Sequence, residues 1–535
     1  MNGAAQPAQH DQHSGSLWGR PLPAGAAVLL SLLSGGLLVL AYPKFSVGPI
    51  AWVALVPWLW VVFAARTRAA VLASWLMGLV FFGGVLYWIA LFGPGVLGPL
   101  LVVMLGLLEG LAVLLTAAVV RLARPAPGWP RILLVAAGWV GWEWVRSVGQ
   151  FGFAWAQLGH SQLNAEPLRE IAAYAGVPGI SFLIVLANAS IAEALADRAR
   201  WPRGLARVAV VGLVVAAAAG LGQAHVLAVK RHAAWAQDHV PPLRVAIVQT
   251  SVSGPLTPEM LVQPWRRGEE EHDLAAYEQA TREAAAFQPR LVVWPESAIP
   301  GYPGLERDLQ ARLARIARDT GVWLLVGGHH LDAGGRPLNS AFLVDPSGRI
   351  RGRYDKVQLV PFGEYVPGRS WLPLLRFFTV REDDVRPGPG FHPLEMDGIG
   401  IGTAICFEST FPHIGRALAR RGAKFLVVIT NDAWFRRTAA PEQHLEIGAF
   451  RAVEEGMTVV RAAATGISCF ITPWGQVGRR AELYDKQVLV ADVYPSPAPT
   501  LYRRLGPALP RACLVIMAVW IVAALWRRSR LSRSR

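Results

Sequence analysis

Eight apolar runs, each close to bilayer-spanning length, rule out a wholly water-soluble fold for this chain. Seven of them follow one another, at about 24–41, 47–64, 69–92, 96–121, 131–147, 171–196 and 204–227, and the eighth stands alone at about 508–526. A helix needs about 20 apolar residues to cross a bilayer. Inside hydrocarbon every backbone N–H must find its partner within the segment or its immediate neighbours, so such runs fold as helices. A content of 53% hydrophobic and 17% charged residues over 535 positions fits a large membrane portion. Pro43 and Pro57 interrupt the first two runs, and Glu143 and Arg146 lie in the fifth. The expectation is a multi-pass α-helical bundle of about eight spans.

The basic residues orient it. Arg66 and Arg68, then Arg121, Arg124 and Arg131, then Arg198, Arg200, Arg203 and Arg207 fall in every second loop. The loops around Lys44 and Gly93-Pro94-Gly95 are poorer in charge, and the tail carries Arg527, Arg528, Arg530, Arg533 and Arg535. Because Lys and Arg stay on the cytoplasmic side of short loops, the 1–23 tail and the basic 527–535 tail are both expected in the cytoplasm. Seven spans over 24–227 then put 242–495 on the far side. The first run lacks an A-x-A cleavage site and is read as an uncleaved helix. A net charge of +15 raises nucleic acid as a partner. The basic residues, however, cluster at the ends of apolar runs rather than along one stripe, so the partner they imply is a lipid bilayer and not nucleic acid.

The segment 242–495 has another texture. Short β-rich runs at 243–250, 290–294, 322–327, 340–344, 399–406, 424–430, 459–463, 468–472 and 488–493 alternate with helical stretches at about 272–287, 305–319, 412–421 and 442–456. In the last stretch Leu445, Ile447, Phe450 and Val453 recur near helical spacing, the pattern of an amphipathic helix. Alternating strands and helices predict a layered α/β domain with its chemistry at strand ends. The Pro-, Gly- and aromatic-rich stretch 367–393 is expected to act as a lid.

Three cysteines, Cys406, Cys469 and Cys513, cannot build a disulfide framework. There is no C-x-x-C or H-E-x-x-H, and His329 and His330 would face opposite sides of a strand, so no metal site is expected. Cys406 differs from an ordinary core thiol by its setting. It ends the apolar run Gly400-Ile401-Gly402-Thr403-Ala404-Ile405 and is followed by Phe407-Glu408. A thiol attacks as thiolate and needs a neighbouring base. Glu296, just past Leu291-Val292-Val293-Trp294-Pro295, can accept and return that proton. Lys356, in Arg353-Tyr354-Asp355-Lys356, can donate to an oxyanion, with the backbone N–H of Phe407 as a second donor.

Three segments carry a resemblance: Trp294-Pro295-Glu296-Ser297-Ala298, Lys356-Val357-Gln358-Leu359-Val360-Pro361-Phe362-Gly363-Glu364-Tyr365-Val366-Pro367, and Ile405-Cys406-Phe407-Glu408. They resemble the three motifs of the nitrilase (carbon–nitrogen hydrolase) superfamily. With seven apolar runs before and one after, the chain is similar to the bacterial apolipoprotein N-acyltransferase family. Asn431-Asp432-Ala433-Trp434-Phe435, Gln443-His444 and Trp155-Ala156-Gln157-Leu158-Gly159-His160-Ser161-Gln162 match as well. The resemblance implies an αββα sandwich outside the cytoplasm, on the periplasmic face of a bacterial inner membrane. It implies a ping-pong reaction without cofactor or metal: Cys406 takes an acyl chain from a phospholipid and passes it to the α-amine of a diacylglyceryl-cysteine on an apolipoprotein. It implies the catalytic residues Glu296, Lys356 and Cys406, with Glu364, Glu408 and Trp265 as auxiliary residues and a monomeric enzyme. Phe407 stands where the family often has Tyr, which puts any role of a phenolic hydroxyl there in question. The competing reading is a membrane-tethered amidase of the same superfamily acting on a small amide.

Overall fold

The structure, a computed structural model, describes residues 22–91, 97–123, 128–196, 200–251, 269–368 and 384–533. Each of the eight apolar runs contains a helix: α1 (Ala24–Leu40), α2 (Val56–Ala64), α3 (Thr67–Val85), α4 (Leu97–Ala123), α5 (Trp129–Val145), α6 (Val177–Ala196), α7 (Trp201–His239) and, near the C-terminus, α12 (Ala508–Arg533). Among the described residues five helices are long and apolar enough to cross a membrane, and two shorter apolar helices cover Ala24–Leu40 and Gly48–Ala64.

The interruption at Pro57 is visible. The second run begins as a 3-10 turn at Gly48–Ile50 and a short helix at Ala51–Ala54 before α2. The kink leaves backbone groups to be satisfied from elsewhere, and buried Asn188 of α6 does so. Its Oδ1 accepts from Leu55 N at 2.8 Å, and its Nδ2 donates to Ala51 O at 2.9 Å. Between α3 and α4 the approach is set by glycine: a Cβ on Gly78 would lie 2.3 Å from Gly110 Cα. Small residues let helices pack backbone to backbone where no hydrophobic drive separates them from lipid. Glu143 is accommodated by donors, with Trp139 Nε1 and Leu158 N each 2.8 Å from its Oε1.

α7 departs from expectation in length. It continues past the apolar run, through Lys230-Arg231-His232, to His239, so the chain reaches β1 directly from a helix of 39 residues. At 1.5 Å per residue that is about 58 Å.

From Leu243 to Val493 the chain forms two six-stranded sheets. The strands are β1 (Leu243–Gln249), β2 (Leu291–Val293), β3 (Trp323–Leu331), β4 (Pro337–Val344), β5 (Ile350–Asp355), β6 (Leu394–Met396), β7 (Ile399–Ile405), β8 (Ala423–Thr430), β9 (Val459–Ala463), β10 (Cys469–Ile471), β11 (Val477–Arg480) and β12 (Gln487–Val493). The first sheet runs β12-β1-β2-β3-β4-β5 and the second β11-β10-β9-β8-β7-β6. Each has a parallel centre, β1-β2-β3 or β7-β8-β9, flanked by antiparallel strands. The inner faces meet in one core, Val245, Ile247, Val293 and Leu325 against Ile401, Ile405, Val427 and Ile429. Helices α8 (Glu269–Ala285) and α9 (Arg307–Thr320) cover the first sheet, and α10 (Pro412–Arg420) and α11 (Ala440–Glu455) cover the second. The order of layers is α, β, β, α.

Three strands escape the sequence reading: β5, β6 and β11. All sit at sheet edges, and β5 (IRGRYD) and β11 (VGRR) carry the charge that edges use against further pairing. α11 also differs from the amphipathic helix expected, because 14 of its 16 residues are buried, including His444, Arg451, Glu454 and Glu455. It lies between the second sheet and the membrane-type helices, in one continuous apolar cluster with them. A helix covered on both sides has no solvent face to keep polar.

Candidate active site

β7 is apolar and central, so its C-terminal end is a rigid platform. Immediately beyond it the chain tightens into a 3-10 turn, Cys406–Thr410, and Cys406 takes φ +53°. A non-glycine residue in that left-handed region costs about 1–3 kcal/mol and persists only where neighbours over-determine it. Here they do. Ser409 Oγ donates to Cys406 O at 2.8 Å, His444 Nε2 lies 3.2 Å from the same oxygen, and Glu408 Oε2 accepts from Ile405 N at 2.8 Å.

Glu296 enters from the end of β2. Its Oε1 accepts from Asn339 Nδ2 at 2.8 Å and its Oε2 from Asn431 N at 2.9 Å. Lys356 follows edge strand β5, tied back by its own N–H to Asn339 O at 2.8 Å. The ammonium is buried, 3.4 Å from Glu296 Oε1 and 2.9 Å from Glu364 Oε2. Burial alone would lower it, but the carboxylates of Glu364 and Glu296 outweigh that and hold it above the usual lysine range. Glu364 is held low in turn: burial pushes it up, and Lys356, Asn339 and Val360 N pull it further down. The Cys406 thiol is raised, by burial first and then by the Glu296 carboxylate, with Lys356 opposing. A thiol raised in this way rests protonated.

The fold thus brings Glu296, Lys356 and Glu364 into one cluster, near enough to the Cys406 thiol to act on its charge. Glu408 joins two loops. Its carboxylate accepts from Ile405 N beside the cysteine, from Val357 N (2.8 Å) and Gln358 N (3.1 Å) just after Lys356, and from Tyr354 Oη (3.0 Å). The Phe407 ring is buried against Phe411, with centroids 4.9 Å apart, and Phe153, 6.3 Å away. Trp265 lies outside the described residues, as does 369–383 of the expected lid. His329 and His330 fall on β3, and among the described residues no cluster could hold a metal ion. The sequence reading missed Asn339, whose amide is shared by Glu296 and Glu364 (2.9 Å to the latter Oε1), and gave no role to Asp432 and His444. An asparagine in the mostly apolar stretch of β4 was the available signal.

The profile of the carbon-nitrogen hydrolase family matches residues 244–498, and that of the apolipoprotein N-acyltransferase N-terminal domain matches 34–190. The apolipoprotein N-acyltransferase of Geobacter metallireducens is 35% identical over 94% of this chain and 96% of its own length. This chain belongs to the apolipoprotein N-acyltransferase family. The apolipoprotein N-acyltransferase of Azotobacter vinelandii is 33% identical over 92% of this chain and 94% of its own. A solved amidase from Nesterenkonia sp. is 25% identical over 48% of this chain and 91% of its own, with a TM-score of 0.36.

In this chain, burial pushes the Glu408 carboxyl up to about 7, against the pull of three backbone amides and Lys356. A carboxyl raised in the folded state binds its proton more tightly there than in the unfolded chain. Its contribution is therefore favourable at low pH and is lost as pH rises from the ordinary carboxylate range towards 7. Glu408→Gln should flatten that limb. The difference in thermal midpoint between wild type and variant, followed from pH 4.5 to 7.5 in detergent, should shift in favour of the variant as pH rises. A pH-independent difference would refute the titration.

Proposed function

We propose that this protein is a membrane-integrated N-acyltransferase that moves an acyl chain from a phospholipid, through a thioester on Cys406, to the α-amine of a diacylglyceryl-cysteine at an apolipoprotein N-terminus. What carries the reading is the buried Lys356 ammonium shared by Glu296 and Glu364 beside the Cys406 turn.

Glu296 takes the thiol proton, and the thiolate attacks the ester carbonyl. The oxyanion is met by Lys356 and the backbone N–H of Phe407. The ester C–O bond then breaks, Glu296 returns the proton to the leaving oxygen, and lysophospholipid departs. In the second half the acceptor amine attacks the thioester and loses its proton to Glu296. The C–S bond breaks, and the thiolate regains that proton. Glu364 keeps Lys356 cationic through both halves, while Glu408 holds the two loops together. Trp265 is assigned to positioning substrate, and 367–393 to a lid.

The same reading places eight spans in a bacterial inner membrane, both termini in the cytoplasm and the αββα domain in the periplasm. The boundaries are 24–227 for seven helices, 242–495 for the catalytic domain and 508–526 for the last span, in a monomeric enzyme. The alternation of basic loops and the eight helical apolar runs support this. An aromatic wall of Trp88, Phe153, Trp155, Phe407 and Phe435 beside the turn supports a site that keeps water from the thioester. Incubated with phospholipid carrying a radiolabelled acyl chain, the purified protein should acquire a hydroxylamine-sensitive label on Cys406. An unlabelled protein that hydrolyses small amides would be a tethered amidase instead.

A further inference from the structure

Beneath the nucleophile turn lies a second polar cluster, joined to the first where Asn431, next to Asp432, donates its N–H to Glu296. Ser409, His444, Asp432 and Arg461 are all buried. His444 Nε2 lies 3.0 Å from Ser409 Oγ and 3.2 Å from Cys406 O, and its Nδ1 lies 3.0 Å from Asp432 Oδ1 and 3.1 Å from Arg461 Nη2. Arg461 Nη2 also pairs with Asp432 Oδ2 at 2.7 Å, and Thr430 Oγ1 donates to Asp432 Oδ1 at 2.9 Å.

Serine, histidine and aspartate at these separations have the form of a hydrolase relay. The serine cannot serve as its nucleophile, because it is buried under the turn and its hydroxyl is committed to the Cys406 carbonyl. The histidine protons follow from its partners. Nε2 faces one pure acceptor, the Cys406 carbonyl, and one hydroxyl already donating to that acceptor, so Nε2 carries hydrogen. Burial and the adjacent Arg461 guanidinium pull the ring below the ordinary histidine range, against the Asp432 carboxylate and the Cys406 carbonyl, which favour its protonated form. Nδ1 faces the Asp432 carboxylate oxygen at 3.0 Å, itself a pure acceptor, and so donates to it, while Arg461 pairs with the other oxygen of that carboxylate.

The membrane-type helices reach this ring. Trp155, in the segment after α5, packs on it with centroids 5.6 Å apart and planes at 31°, and Phe435 meets it edge-on at 5.9 Å. The preceding residue, Gln443, is saturated by the same half of the molecule. Its Oε1 accepts from Trp88 Nε1 (3.0 Å) and Trp155 Nε1 (2.8 Å), and its Nε2 donates to Pro43 O (2.9 Å) and Val85 O (3.2 Å).

We propose that His444 is a positioning residue for the nucleophile: its Nε2–H holds the carbonyl of Cys406, and the membrane half, through Trp155 and Gln443, holds the ring. The orientation of the thiol is thereby set from the membrane side of the molecule. This rests on Cys406 being the acylated thiol, which the label on the wild-type protein tests separately.

The experiment compares His444→Met, similar in length but without a donor, with His444→Gln, whose amide N–H reaches the same oxygen, in the full-length protein. The substrate is phosphatidylethanolamine with radiolabelled palmitoyl chains, and single-turnover thioester formation is followed across substrate concentrations. H444M should lower the maximal acylation rate roughly 10- to 100-fold, the scale of a misplaced reacting group, with half-saturation unchanged. H444Q should recover to within about fivefold of wild type, the scale of one altered hydrogen bond. Ser409→Ala, which removes the other donor to that carbonyl, should slow acylation about three- to tenfold. A fluorophosphonate should not label Ser409. An H444M rate within about threefold of wild type, the worth of one weak hydrogen bond, overturns the proposal. So do equal losses in H444M and H444Q, or a labelled Ser409. Should neither His444 variant fold, an unchanged rate in S409A overturns it.

Discussion

Cys406→Ala is expected to abolish both the thioester label and acyl transfer, a fall of at least ~10⁴-fold, because no other group can carry the covalent intermediate. The alternative thiols are poor candidates. Cys469 is buried in β10, and Cys513 packs against Ala137 and Val140 of α5. The variant should fold normally, since the turn is held by the Cys406 carbonyl and by Glu408 rather than by the sulfur. Residual transfer above about one per cent of wild type would mean that the acyl group travels by another route.

Lys356→Met is expected to fail in two separable ways. The ammonium lies between Glu296 and Glu364, whose Oε1 atoms share one amide, Asn339 Nδ2, at 2.8 and 2.9 Å. Without the cation, the buried Glu296 carboxylate faces the partly buried one of Glu364, and removing one member of such an ionic group costs about 3–5 kcal/mol. Loss of an oxyanion donor lowers turnover a further 10²–10³-fold or so. Neutralising the neighbour distinguishes the two. Lys356→Met/Glu364→Gln should regain much of the lost thermal stability while remaining as inactive as the single variant. A double variant that regained activity would show that Lys356 only balances charge.

How far the sequence could be read depended on where each residue type falls. β1, β7, β8 and β9 are apolar and central, so their residues announce a buried strand. β5 and β11 are short, arginine-bearing and at edges, where a polar strand and a loop look alike in one dimension. The family itself was legible because Glu296, Lys356 and Cys406 each sit in a run whose flanking residues are as characteristic as the residue itself. Asn339 was not legible, since its role exists only once β4 sets it between two carboxylates distant in the chain. α11 failed for a third reason. Periodicity reports one buried face, and this helix has two, one against the second sheet and one against the membrane half.

The length of α7 has a further consequence. About 30 Å of hydrocarbon accounts for only half of a helix of about 58 Å, so on the proposed topology some five turns stand clear of the bilayer. The exposed end is braced, with His232 Nε2 3.1 Å from Ser496 O just beyond β12. On that topology such a strut fixes the altitude of the thiol over the lipid plane. Donor and acceptor are both anchored in that plane by their own chains. Enzyme and substrates therefore meet by searching a sheet rather than a volume, at a height that the helix has already set.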